Sequence, residues 1–255
     1  MLSVKQAGPG SGLDRFRSSG AMKALFPRPR GGGVEAILIN TSGGLTGGDR
    51  IDVEARAGRG SSLTLTTQAA ERAYRANTGE AVVSTRLEAD CGAELMWLPQ
   101  ELILFDGCAL NRSLAVDLAP DARFLMAEAV IFGRAAMGEQ LHSIRLRDRI
   151  RISRGGVAAY RDGMDLSGDA FTHMARRAIG AGAGAMSSLA YAAPDAEAHL
   201  APLRRCLPAT CGVSLLAPDL LVARLLAADS FALRHVLIPI LDRLSCGRLP
   251  ASWRL

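Results

Sequence analysis

The feature that most constrains this chain is a side-chain period of two that runs, with interruptions, from residue 34 to about residue 165. It is plainest in Ile144 to Ile152, which reads Ile-Arg-Leu-Arg-Asp-Arg-Ile-Arg-Ile, and it recurs in Ile51 to Ala55, Ser62 to Thr66 and Leu114 to Leu118. Alternation of this kind places one set of side chains on a core and the other in water, which is the pattern of a half-buried strand. Turn residues punctuate the runs: Gly47-Gly48-Asp49, Gly58 to Gly60, Asn77 to Gly79, Asp90 to Gly92, Asp106-Gly107, Pro120-Asp121 and Gly155-Gly156. Many short strands at this spacing predict a mainly β fold, either an antiparallel sandwich or a coil of stacked strands. No internal sequence repeat is visible.

The two ends differ from this body. Residues 1–20 are rich in Gly, Ser and Arg and are expected to be loose, followed by a short element near Ala21 to Phe26. Gly31 to Gly33 lead into a strand-length apolar run, Val34 to Asn40. Beyond a Gly- and Ala-rich stretch from Asp165 to Ala185, Met186 to Tyr191 reads as a strand. Two helices are then expected. One runs from Asp195 to Arg205. The other runs from Asp219 to Leu244, with Asp219 at its positive end, Gly247 just past its end and Pro239 kinking or interrupting it. The expected organisation is one domain from 21 to 255: strand-rich over 21–192, helical over 193–247, and a tail over 248–255 whose Trp253 docks on the body.

Length and composition narrow the function classes. At 255 residues and 49% hydrophobic content the chain can bury a sizeable core unaided. The net charge of +5 comes almost entirely from arginine, the lysines being Lys5 and Lys23, and it is spread without a dense run. That supports an acidic partner only weakly. Aromatic content of 5% and no recognisable nucleic-acid motif argue against RNA or DNA. Cys91, Cys108, Cys206, Cys211 and Cys246 are odd in number and scattered, so free thiols and a cytoplasmic location are expected. The N-terminus has no apolar core of a signal peptide. Arg224, Asp229, Arg234 and His235 interrupt the most apolar stretch, which excludes it as a membrane span.

Four segments carry possible chemistry. Asn40 to Asp49 contains Thr41, Ser42, Gly43, Gly44, Gly47 and Gly48; its glycines allow close backbone approach. It lacks the ending of a P-loop, so it is either a turn network or a partner-facing loop in which Asp49 offers a hard oxygen ligand. Thr66 to Arg75 holds Thr67, Gln68, Glu71, Tyr74 and Arg75 at a strand end, either as a self-bonded loop or as a functional edge. Leu98 to Gly107 sets Gln100 and Glu101 before a buried run and Asp106 after it. Glu128 to Glu139 opens with an acid in an apolar strand, where burial requires an arginine or a bound cation, and ends with Arg134 and Glu139. No nucleophile elbow or zinc-protease motif is present, and the four histidines lie far apart in sequence.

Taken together and in order, Ile39 to Ile51, Thr66 to Arg75, Trp97 to Gly107 and Gly133 to Glu139 resemble the UreD (UreH) family of urease accessory proteins. The likeness extends from about residue 20 to the Leu-Pro-x-x-Trp-Arg-Leu end. The resemblance implies a mostly β, helix-like stack of strands with a small α-helical part near the C-terminus. It implies no catalysis and no tightly bound cofactor. The implied partners are UreF, the GTPase UreG and the apo-urease subunits, with a dimer of heterodimers formed with UreF. It further implies an internal tunnel for transient nickel, for which Asp49, Glu71, Glu101, Glu128 and Glu139 are the candidate oxygen ligands. Beside the family the N-terminus is short, which leaves open whether a first strand is missing. Two rival readings remain: a β-fold hydrolase using Ser42 or Thr67 with a distant histidine, and a protein-binding module without a metal role.

Overall fold

A computed structural model describes residues 1–28 and 31–254. Pro29 and Arg30 of the glycine-rich N-terminal stretch and Leu255 of the tail lie outside the described residues. The chain begins with β1 (Leu2–Ala7), β2 (Gly10–Phe16), β3 (Met22–Leu25), β4 (Val34–Asn40), β5 (Arg50–Ala57), β6 (Ser62–Thr67) and the short β7 (Glu71–Ala73). It continues with β8 (Ala81–Ala89), β9 (Glu94–Leu98), β10 (Leu102–Leu104), β11 (Ala109–Leu118), β12 (Arg123–Phe132), β13 (Ile144–Arg154) and β14 (Val157–Gly168). A short helix α1 (Ala170–Ala175) precedes β15 (Ala185–Ala192), α2 (Ala196–Cys206), β16 (Gly212–Ala217), β17 (Leu220–Ala227) and α3 (Ser230–Leu244). No helix among the described residues is long and apolar enough to cross a membrane.

Of the two architectures the alternation allows, the structure is the stacked coil. From β4 to β13 the chain places strands in turn in two sheets, and within each sheet the neighbours are parallel. The first sheet runs β14-β13-β11-β8-β5-β1-β2, and the second runs β16-β17-β15-β12-β9-β6-β4-β3. Antiparallel pairs close the stack at both ends, as β1 with β2, β13 with β14, and β12 with β15.

The two sheets differ in pattern because they differ in covering. In β13 the residues Ile144, Leu146, Ile150 and Ile152 face inward while Arg145, Arg147, Arg149 and Arg151 face water. The second sheet is buried on both faces, by the first sheet on one side and by α2, α3 and the tail on the other. Its strands accordingly lose their alternation: β12 is buried from Phe124 to Ile131, and every residue of β15 is buried. Trp253 of the tail is fully buried, and its Nε1 donates to the Leu98 carbonyl at 2.9 Å. Arg234 of α3 fastens this corner, donating to Glu101 Oε1 at 2.8 Å, Gln100 Oε1 at 2.9 Å and the Trp253 carbonyl at 2.8 Å.

Two expectations are corrected. The segment 1–20 is not loose: β1 pairs in parallel with β5 and folds back on β2, so the first sheet has its outer strands despite the short N-terminus. Leu2 and Val4 anchor it in the core. The long helix expected from Asp219 to Leu244 is a strand followed by a helix. β17 pairs with β15 and β16 inside the second sheet, and α3 starts only at Ser230, capped by Asp229, which accepts from the Ala232 N–H at 2.8 Å. Pro239 lies within α3 without ending it. The strand at β15, the helix at α2 and the docked Trp253 are as expected.

Substituting Trp253→Ala removes the largest side chain of this corner together with its hydrogen bond. It is expected to lower unfolding stability by about 3–5 kcal/mol, read as a drop in the urea midpoint. A midpoint unchanged from wild type would mean the tail does not hold α3 on the sheet.

Candidate functional site

Parallel stacking brings the four sequence segments together. Each lies at the same end of successive strands of the second sheet, so residues one coil apart become neighbours. Asn40 Nδ2 donates to Glu71 Oε2 at 3.0 Å across 31 residues of sequence. The Gln100 N–H donates to Thr67 Oγ1 at 2.9 Å across 33, Arg75 Nη2 to Asp106 Oδ2 at 2.9 Å across 31, and the Asp106 N–H to Glu139 Oε1 at 3.3 Å across 33.

The glycine-rich loop is built by contact with the next coil. A β-carbon on Gly44 would collide with the Tyr74 ring, and one on Gly47 with the Thr78 carbonyl. The Leu45 N–H donates to the Arg72 carbonyl at 2.7 Å, the Tyr74 N–H donates to the Leu45 carbonyl at 2.8 Å, and Tyr74 Oη donates to the Gly43 carbonyl at 3.3 Å. The Gly48 N–H donates to Glu80 and the Gln68 N–H to Leu38. Thr41 Oγ1 donates to Ala21, tying the loop to the entrance of β3. Asp49 accepts from the Thr46 N–H at 2.8 Å and so closes the loop's own turn. At the far side Arg134 lies over the Phe105 ring at 4.2 Å and donates to Glu139 from Nε and Nη2. Those side-chain bonds hold the Glu139 carboxyl below the usual carboxylate range.

Of the five acids, Glu101 and Glu128 are buried and Glu71 is half-buried. Glu101 is buried, with Arg234 as its partner. Glu71 and Glu128 line a cavity of about 90 Å3 between the sheets, with Thr67, Thr85, Gln100, Trp97 and Arg112 among its other walls. A wider groove of about 280 Å3 adjoins it, sharing the walls Met22, Leu38, Ile51 and Val53.

The cavity exists because a charged layer crosses the core. Arg112, Glu128 and Asp148 occupy inward positions of β11, β12 and β13, between one apolar cluster around Leu114, Met126 and Ile150 and another around Leu110, Val130 and Leu146. Arg112 donates to Asp148 from Nε at 3.0 Å and from Nη2, and its Nη2 stands 3.3 Å from Glu128 Oε2. Trp97 Nε1 donates to Glu128 Oε1 at 2.9 Å. The Arg112 contact with Oε2 is an ion pair without a hydrogen bond, and Glu128 Oε2 and Gln100 Nε2, both on residues that line the cavity, have no hydrogen-bond partner. Burial raises the Glu128 carboxyl above its ordinary range, against the pull of Arg112. For Arg112, burial works against the charge, but Asp148 and Glu128 outweigh it and hold the guanidinium ionised.

The arginine required by a buried Glu128 is therefore Arg112. Neither it nor Asp148 was singled out from the sequence, although both break their strand's inward register: Leu110-x-Arg112-x-Leu114 and Leu146-x-Asp148-x-Ile150. An ionisable residue at an inward position is the sign that would have found them. Ser42 Oγ donates to Asn40 Oδ1 at 2.6 Å, and Thr67 Oγ1 donates to the Ala69 carbonyl at 3.0 Å. All five cysteines are free, and burial pushes the Cys108 thiol up to about 11. Among the described residues no three His, Cys, Asp or Glu side chains gather into a metal-holding group.

Comparison with known proteins places this architecture. The family described as UreD urease accessory protein matches residues 1–254. The urease accessory protein UreD of Roseobacter denitrificans is 52% identical over 255 residues, covering 100% of this chain and 93% of the relative. That of Ruegeria pomeroyi is 48% identical over 255 residues, covering 100% and 99%. The protein of the same name from Sinorhizobium medicae is 47% identical over 260 residues, covering 100% and 94%. With a match along the whole described body, including the N-terminal strands and the tail, the chain belongs to the UreD family of urease accessory proteins.

Proposed function

We propose that this protein is a non-catalytic urease maturation factor, a β scaffold whose inter-sheet cavity passes hydrated nickel toward apo-urease. Its partners in this reading are UreF, UreG and the urease subunits, in a dimer of heterodimers with UreF. The observation that carries the reading is the charged layer in the sheet interior. Asp148 and Glu128 set two carboxyl groups against the one guanidinium of Arg112, and Glu71 adds a further carboxyl to the same cavity.

A divalent ion crossing a protein must stay hydrated or exchange waters for oxygen ligands; nitrogen and sulfur ligands would trap nickel. A passage therefore works with spaced carboxylates that favour entry without holding the ion. Glu71 and Glu128 are such a pair, and the cavity of about 90 Å3 is large enough to hold water. The unpaired Glu128 Oε2 and Gln100 Nε2 are an acceptor and a donor for that hydration. Burial raises the Glu128 carboxyl against the pull of Arg112, and an approaching cation favours its ionised form. The exposed Phe231, at 72%, and Met137, at 72%, are apolar surface of the kind a scaffold offers to partners.

Three outcomes are expected. Deleting the gene in a urease-positive host leaves urease polypeptide at normal levels but nickel-poor, partly rescued by excess nickel; fully metallated urease in the deletion strain overturns the reading. Glu71→Gln with Glu128→Gln is expected to lower nickel per co-expressed urease several-fold while the accessory complex still assembles. Asp49→Asn, outside the cavity, should change it little; equal metal content in all three separates a plain binding scaffold from a conduit.

The third outcome concerns pH. The folded carboxyl of Glu128 sits above its ordinary value of 4.5, so its contribution to stability is fully present below the unfolded value and is lost as pH rises through the folded one. Glu128→Gln does not titrate. The stability difference, wild type minus variant, should therefore decline as pH rises from about 4.5, measured as urea midpoints. A difference that grows with pH would show that Arg112, not burial, governs this carboxyl.

A further inference from the structure

The outer face of the first sheet is charged throughout, but its two halves are built differently. On β5 and β8 each arginine has an acid beside it: Arg50 lies 3.4 Å from Asp52, Arg56 3.0 Å from Asp90, and Arg86 3.3 Å from Glu54. On β13 and β14 that balance fails. Arg145, Arg147, Arg149, Arg151 and Arg161 all point outward, and Asp165 is the one acid of these two strands on that face. Asp165 takes Arg149 at 3.3 Å and Arg147 at 3.6 Å. Asp117 of the neighbouring β11 is engaged by Ser153 Oγ at 2.7 Å.

Arg151 and Arg161 stand directly opposite each other across the β13–β14 ladder, and neither guanidinium has a hydrogen bond or ion pair among the described residues. Like charges placed in direct cross-strand register destabilise a sheet. β14 is moreover an edge strand of twelve residues, paired only with β13. Its far side presents unpaired backbone N–H and C=O groups of the kind proteins usually cover.

We infer that this edge is a docking strip for an extended acidic polypeptide segment, which adds as a strand along β14 and sets carboxylates against Arg151, Arg161 and their neighbours. Outward arginines at every second residue of β13, one strand inside the edge, repeat at about 6.6–6.8 Å and reach over β14, as Arg149 does in donating to the Met164 carbonyl at 3.0 Å; carboxylates at every second residue of an extended chain have the same repeat. Backbone pairing then supplies affinity and the charge register supplies specificity. A single-stranded nucleic acid has a similar charge spacing, but it also needs aromatic platforms for its bases. The outward side chains of β13 and β14 include none.

The test uses the purified full chain and a fluorescent twelve-residue peptide of alternating Glu and Thr, followed by anisotropy. Binding is expected at low salt, weakening steeply as salt rises. Arg151→Ser with Arg161→Ser should weaken it at least tenfold. Arg56→Ser, on the acid-paired half of the same face, should leave it unchanged, and circular dichroism checks that both variants stay folded. The same peptide with alternate backbone amides methylated should bind more weakly. Equal binding by the Arg151/Arg161 variant, equal loss in Arg56→Ser, equal binding of the methylated peptide, or tighter binding of oligo-dT of matched charge would each overturn the inference.

Discussion

A buried charge must have a partner, and in this protein that rule shapes the core. Arg112, Glu128 and Asp148 form a layer across an interior otherwise filled by leucine, isoleucine and valine, with side-chain exposures of 12%, 4% and 9%. Losing Arg112 would leave both acids buried without their counter-ion, at a cost of about 3–5 kcal/mol. An apolar layer of the same volume would hold the sheets together at least as well. Retaining charges here gives the space between the sheets something leucine does not: polar walls, unpaired lone pairs and a raised carboxyl group next to a cavity.

The layer depends in turn on the coil. Strands that alternate between two parallel sheets bring residues about one turn apart into contact, and the side-chain bonds of the site span 31 to 33 residues of sequence again and again. Four segments that look independent along the chain are thus one wall, each contributing the same strand end in the next coil. The recurrence is structural and not compositional. The coils differ in sequence because each meets different neighbours: a glycine at 44 to admit Tyr74, an aspartate at 106 to receive Arg75, an arginine at 134 to cover Phe105.

Much of this was legible beforehand. Strands exposed on one face, such as β13, announce themselves by alternation, and a lone acid in the apolar β12 announced a buried partner. What was not legible has definite causes. β17 lies in a sheet covered on both faces, so Leu220 to Ala227 reads as an apolar run broken only by Arg224, which period alone does not separate from a helix. The N-terminal hairpin has a composition rich in glycine, serine and arginine, and its strand character comes from pairing with β5 rather than from its own residues. Arg112 and Asp148 were hidden among many arginines and aspartates, and only the inward register sets them apart.

The docking of Trp253 also bears on the order in which the protein is made. Trp253 covers Leu98, and Arg234 joins it to Gln100 and Glu101, so the outer face of the second sheet is sealed by residues that leave the ribosome after every strand they cover. Until then the coil can wind from its first turns onward, but one broad apolar face stays open to water. Every strand of the sheet is thus synthesised before α3 and the indole that complete its cover.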